Sequence, residues 1–168
     1  MAKYDAGSSV EALDYDLTAA VKDTEAEGHA GAVGTVPEPS QDQIAGFFDA
    51  LGGLRLQEQA FSNELSDRRR DRMRDLWLAE HPGKTAEEYP KDATVTPAQL
   101  IELQDEDRAE RDAFRRKMRG QYIDVLDEAC QGSPPRPVLE AMPHRHLQGF
   151  AGWLAGSFSP EASAAGIV

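Results

Sequence analysis

From residue 40 onward, apolar residues recur along this chain with the period of an α-helix. Ser40 and Gln43 match a capping box, in which the serine oxygen takes an orphan amide and the glutamine reaches back. Pro39 discourages helix upstream of it. Ile44, Phe47, Phe48 and Leu51 then fall on one stripe. Gly52-Gly53 interrupts it, and glycine is costly inside a helix, so a kink or break is expected there. The stripe resumes with Leu54, Phe61, Leu65, Met73, Leu76 and Trp77, and His81-Pro82-Gly83 stops it. After a polar loop from Pro82 to Val95, Thr96 with Pro97 and Gln99 repeats the start signal. The helix it opens is expected to reach Gln131, with Leu100, Leu103, Phe114, Met118, Tyr122, Val125, Leu126 and Ala129 on its apolar side. Its middle, Gln104 to Asp112, has almost no apolar residue, so it either projects into solvent or bridges between packed ends. Gly132-Ser133-Pro134-Pro135 ends it. A short helix over Pro135–Ala141 follows, with Pro137 tolerated in its first turn. Beyond Pro143, Leu147, Phe150, Ala151, Leu154 and Phe158 make a clean helical stripe, with Trp153 off it. No strand-rich segment and no fixed repeat appears after residue 40. The expected fold is all-α: a small helical domain of about four helices over residues 40–158.

Charge changes the picture at the front of the chain. The 168 residues carry 18 Lys+Arg and 30 Asp+Glu, a net charge of -12. Residues 1–40 hold 2 basic and 8 acidic side chains, whereas residues 132–168 hold 2 of each. Leu, Ile, Val and Phe number 32 of 168, at the edge of the composition at which chains stop folding. Residues 1–39 therefore read as a disordered acidic arm, with Val10, Leu13, Leu17 and Val21 giving one short helix turn or strand. Residues 159–168 read as a frayed tail. One cysteine excludes a disulfide framework. No apolar run approaches the roughly 20 residues of a membrane span, and the first residues lack the apolar stretch of a signal peptide, so a cytosolic protein is expected. Overall acidity opposes nucleic acid and anionic lipid as partners.

Four groups of residues suggest chemistry. Asp14-Tyr-Asp16-Leu-Thr18 matches the D-x-D-x-T nucleophile motif of haloacid-dehalogenase-type phosphatases, but that chemistry needs a buried parallel strand, and no alternation of strand and helix follows to supply one. The bland reading is two carboxylates in an acidic arm. His144 and His146 are two apart and point roughly opposite ways on a helix, which suits a solvated helix start better than a metal site. Cys130 sits on an apolar helix end with no activating base beside it, so it reads as a small buried hydrophobe. Neither catalytic chemistry nor a cofactor or metal is expected. Arg68 to Arg74 and Arg115 to Arg119 hold basic clusters suited to nucleic acid. Glu64, Asp107 and Asp112 each precede an arginine by four, an ion-pairing offset that favours paired helix faces instead. The last helix packs Leu147, Phe150, Trp153, Leu154 and Phe158 close together, with Gly149, Gly152 and Gly156 as a smooth side. It either closes a small core or offers an apolar face to a helical partner.

The run from Val36 to Leu51, Val-Pro-Glu-Pro-Ser-Gln-Asp-Gln-Ile-Ala-Gly-Phe-Phe-Asp-Ala-Leu, resembles the opening of tail assembly chaperones of long-tailed actinobacterial phages. The run from Cys130 to Phe158 resembles their closing pattern, C-x-x-S-P-S-x-x-x-L-x-x-L-P-x-R-x-x-x-x-F-x-G-W-L, with Met142 in place of a leucine. Gly53 to Ala129 lies outside the resemblance. The resemblance implies a small non-catalytic protein encoded beside the tape measure protein and often made with a frameshifted longer form. It implies binding to the helical tape measure, keeping it soluble while tail-tube subunits polymerise around it in the host cytoplasm, and absence from the mature virion. Partners would be the tape measure, the major tail protein and the longer form.

A tape measure is long and helical, with apolar stripes that aggregate if bare. The residues expected to cover such a stripe are Phe150, Trp153, Leu154 and Phe158, with Phe47, Phe48 and Leu51 as a second surface. Net negative charge would keep the coated complex soluble. The competing expectation is a nucleic-acid-linked head-completion or packaging factor using the arginine clusters.

Overall fold

The computed structural model describes residues 13–21 and 31–159. Of these, 72% are helical and 6% are in strands, as an all-α chain requires. The elements are β1 (Leu13–Asp16), α1 (Thr18–Val21), β2 (Val33–Val36), α2 (Gln41–Glu80), a 3-10 turn (Ala86–Glu88), α3 (Pro97–Glu106), α4 (Arg108–Ala129), α5 (Arg136–Ala141) and α6 (His144–Phe158). Val10 and the tail beyond Ser159 lie outside the described residues. No helix among those described is long and apolar enough to cross a membrane. The described residues fall into two compact units: one takes those through Leu54 and again from Lys117, and a second takes Arg55–Arg116.

The first unit is built around α6. Leu147, Phe150, Ala151, Leu154 and Phe158, the expected stripe, are all buried, together with Leu126, Val138 and Leu139. Phe158 meets the edge of Phe47 at 5.4 Å between ring centroids. Arg119 donates through its guanidinium to the carbonyls of Glu140 and Met142, satisfying the end of α5 with a cation.

Part of the stretch read as an unstructured arm is ordered. β1 and β2 pair antiparallel, with Leu13 opposite Val36 and Tyr15 opposite Gly34. Tyr15, Leu17, Val21 and Val36 are buried. The Tyr15 hydroxyl donates to the Gly31 carbonyl at 3.0 Å and lies 3.1 Å from Ser133 Oγ, which donates to the Thr35 carbonyl at 2.9 Å. A Cβ at Gly34 would lie 2.7 Å from the Tyr15 hydroxyl, so the strand opposite this tyrosine admits only glycine without a shift. Four-residue strands are too short to show a period. Their order comes from partners about a hundred residues away.

The cap of α2 is as expected: the Ser40 amide donates to Gln43 Oε1 at 2.8 Å and the Gln43 amide to Ser40 Oγ at 3.2 Å. The expected interruption at Gly52-Gly53 is absent, and α2 runs unbroken for 40 residues. Leu51 and Leu54 are both buried and hold the turns on either side, and a penalty of about 1 kcal/mol per glycine does not outweigh them. A Cβ at Gly52 meets nothing within 4 Å. Gly52→Ala is therefore expected to raise the unfolding free energy by about 0.5–1 kcal/mol. Urea titration would check this, and a loss of stability would mean that the glycine is needed for something else.

In the second unit, α2 faces α3 and the start of α4 antiparallel. Arg68 pairs with Glu110 at 2.7 Å, Arg69 with Asp107 at 2.8 Å and Arg72 with Glu106 at 3.3 Å. Phe61 stacks on Phe114 at 3.9 Å. The apolar-poor middle of the expected second helix is thus a bridge, held by ion pairs in place of hydrophobic contacts. That helix is also not continuous: α3 ends at Glu106 and α4 begins at Arg108. The Arg111 guanidinium donates to the Gln104 carbonyl at 2.8 Å, and its Nε donates to Asp107 at 2.6 Å. The Arg111 guanidinium thus takes up a carbonyl of the helical ladder at this one-residue break. The Thr96 cap is as expected, its hydroxyl accepting from the Gln99 amide at 3.3 Å.

Candidate functional site

The apolar residues expected to meet a partner divide sharply. Phe47, Leu51, Phe150, Leu154 and Phe158 are buried in the first unit and build its core, which leaves little of their surface open. Phe48 is 37% exposed and Trp153 38% exposed. Helical spacing places six of the seven on apolar stripes and so does not separate Phe48 from its buried neighbours. The off-stripe position of Trp153 was the usable signal that it faces out.

Trp153 lies parallel to Phe150 at 5.6 Å and walls a hollow of about 290 Å³ with Asp14, Asp16 and Leu17. The two aspartates of the D-x-D-x-T run thus lie on a two-stranded antiparallel ribbon and its threonine opens α1, and among the described residues there is no parallel sheet of the kind a phosphatase nucleophile stands on. Asp14 accepts from the Thr35 hydroxyl at 2.7 Å. Asp16 accepts from the Thr18 amide at 3.0 Å, and hydrogen bonds from the Thr18 side chain and then from its amide hold the Asp16 carboxyl below the usual range. Both carboxylates shape the ribbon and its turn. The glycines of α6 face open space, since a Cβ at Gly149, Gly152 or Gly156 would meet nothing within 4 Å.

The arginines of the first cluster, Arg68 to Arg74, are each committed to a carboxylate, whereas in the second Arg115 meets a carboxylate and Arg119 donates to backbone carbonyls. Besides the three cross-helix pairs, Arg68 also lies 3.7 Å from Glu64, and Arg111 lies 2.6 Å from Asp107, as their offsets predict. Asp112 departs from the expected pairing and meets Arg115, at 3.8 Å, in place of Arg116. The Arg68 hydrogen bond holds the Glu110 carboxyl below its usual range. Among the described residues no cluster of His, Cys, Asp and Glu is arranged to hold a metal. His144 packs against Tyr122 edge-on at 5.4 Å. Cys130 is buried, and burial pushes its thiol up to about 12, which fits a packed hydrophobe.

A further open apolar surface lies outside the residues expected to meet a partner. In the second unit, α2, the loop after it and α3 enclose a hollow of about 610 Å³. Met73 and Leu103 form its buried floor, and Tyr89, Pro90, Val95 and Leu100 its sides. Leu100 is 42% exposed and Val95 43% exposed. Tyr89 is propped by Trp77, edge-on at 5.7 Å, and Trp77 stacks on His81 at 4.5 Å. Arg69, Arg70, Arg74 and Lys91 stand around the hollow, with Glu87 the one acidic side chain there. Leu100 and Leu103 were legible as a stripe. The loop that turns them into a hollow was not, because its residues are polar and aperiodic.

No protein family, no curated protein and no solved structure matches this chain.

Proposed function

We propose that this chain is a tail assembly chaperone of a long-tailed phage: a non-catalytic protein that binds the helical tape measure, keeps it soluble and promotes tail-tube polymerisation around it. The observation that carries the reading is the closing motif from Cys130 to Phe158. Its apolar members Cys130, Leu139, Met142, Phe150 and Leu154 are buried together in one unit, and Trp153 stands at the surface of that unit. Binding then falls to surfaces outside that core, and the second unit supplies an apolar hollow for it. A net charge of -12 would keep a coated tape measure soluble by mutual repulsion. The work would be done in the host cytoplasm, and the protein would leave before the virion is complete. The major tail protein and a frameshifted longer form would be its other partners.

The test is co-expression with a tape measure fragment that is insoluble alone. The fragment should become soluble and co-elute with the chain. A fragment that stays insoluble and elutes apart would defeat the proposal. DNA retardation that weakens steeply with salt would favour the packaging-factor alternative, which the extensive pairing of Arg68 to Arg74 does not support.

A further inference from the structure

Two open apolar places on this chain differ in the charge around them. The Trp153 wall looks onto Asp14 and Asp16. The hollow of the second unit is ringed by four cations and one carboxylate, on a chain whose net charge is -12. We infer that the hollow of the second unit is a docking site for a helical segment whose apolar face is flanked by carboxylates. The inference rests on the proposed chaperone role only for the protein that carries the segment.

Size and charge both narrow the occupant. A helix with its side chains is about 10–12 Å across, so a hollow of about 610 Å³ takes side chains from one face and leaves the helix lying over it. Met73 and Leu103 at the floor, with Leu100 and Val95 open above them, call for apolar side chains. The ring then selects what stands beside those side chains. Lys91 has no ion-pair partner among the described residues. Arg70 and Arg74 are held only by exposed pairs one turn away, to Asp67 at 3.1 Å and Asp71 at 3.5 Å. Exposed pairs of this kind are weak, so both guanidiniums can turn to an incoming carboxylate at little cost. Arg69 is committed to Asp107 and contributes mostly its stem. An acidic segment is repelled by most of this chain and attracted here, which steers it to one place.

The test uses the full chain and two labelled helical peptides of about five turns. Both carry leucines at i, i+3, i+4 and i+7. One is flanked by glutamates and the other by lysines. In low salt, fluorescence anisotropy should show the glutamate peptide binding about tenfold or more tighter, with the preference shrinking as salt rises. Leu100→Asp should weaken it about tenfold, and Lys91→Glu with Arg70→Glu should abolish or reverse the preference. Phe48→Ser and Trp153→Ser should leave it unchanged. Circular dichroism reports whether each variant is folded, and Val95→Asp, on the loop, replaces Leu100→Asp if that variant unfolds. Equal binding of the two peptides, or undiminished binding by both apolar-to-Asp variants, overturns the inference. A tape measure fragment that co-elutes equally with Leu100→Asp and the unaltered chain overturns the docking site and leaves the chaperone role standing. A glutamate peptide seated in the hollow, with no capture of the tape measure, does the reverse.

Discussion

Replacing Leu154 with alanine is expected to lower the unfolding free energy by about 2–5 kcal/mol, a large fraction of what a chain of this size has to spare. Leu154 has no exposed surface. Its neighbours on the α6 stripe are equally enclosed, so the space left by a removed isobutyl group cannot fill easily from the sides. Trp153→Ala, one residue away, is the control. Its ring is 38% exposed and rests on Phe150 from outside, so its loss should cost much less. Urea unfolding of the two variants, followed by far-ultraviolet circular dichroism, measures the difference. Equal losses would mean that the inner and outer faces of α6 have been assigned wrongly.

The second large effect is expected at Asp107. Its carboxylate lies 2.8 Å from Arg69 and 2.6 Å from Arg111, and its side chain is 11% exposed. Asp107→Ala strands two guanidiniums that are each 32% exposed, so water recovers part of what is lost. A cost of about 1–3 kcal/mol follows. Glu106→Ala removes a fully surface pair with Arg72 and should cost less than about 1 kcal/mol. Thermal melts at low and high salt separate the two, because screening weakens the exposed pair far more than the enclosed one. Indistinguishable melts would remove Asp107 as the anchor of α3 and α4 against α2. Acid acts on the same ladder. The Glu110 carboxyl is lowered by Arg68, so its contribution is present at neutral pH. It is lost as pH falls below the ordinary carboxylate value and through the lowered one.

Much of the helical frame was legible because its signals are local. The boxes at Ser40 and Thr96, the stop at His81-Pro82-Gly83 and the stripe from Leu147 to Phe158 each lie within a few turns of chain. What escaped depends on residues far apart in sequence. Tyr15 is ordered by Gly31 and Ser133, so the ribbon could not be seen from the arm's composition. The break at Asp107 goes with Arg111 reaching back to Gln104, which the i, i+4 offset hints at without requiring. The candidate site escaped for a related reason. Aromatic density marked Phe150, Leu154 and Phe158, but density of apolar residues identifies what will be covered. The open hollow arises where a polar loop leaves Leu100 and its own Val95 uncovered, and no property of those two residues alone announces it.

The first unit takes its two pieces from either side of the second, and this sets an order on synthesis. Phe47, Leu51 and Leu54 leave the ribosome well before Leu147 to Phe158, the side chains buried with them in the same unit. At roughly 5–20 residues per second, the delay is on the order of ten seconds. For that interval a nascent stripe of naked phenylalanine and leucine stands in the crowded cell. A protein proposed to shield another chain's sticky helix thus begins life in need of the same shelter.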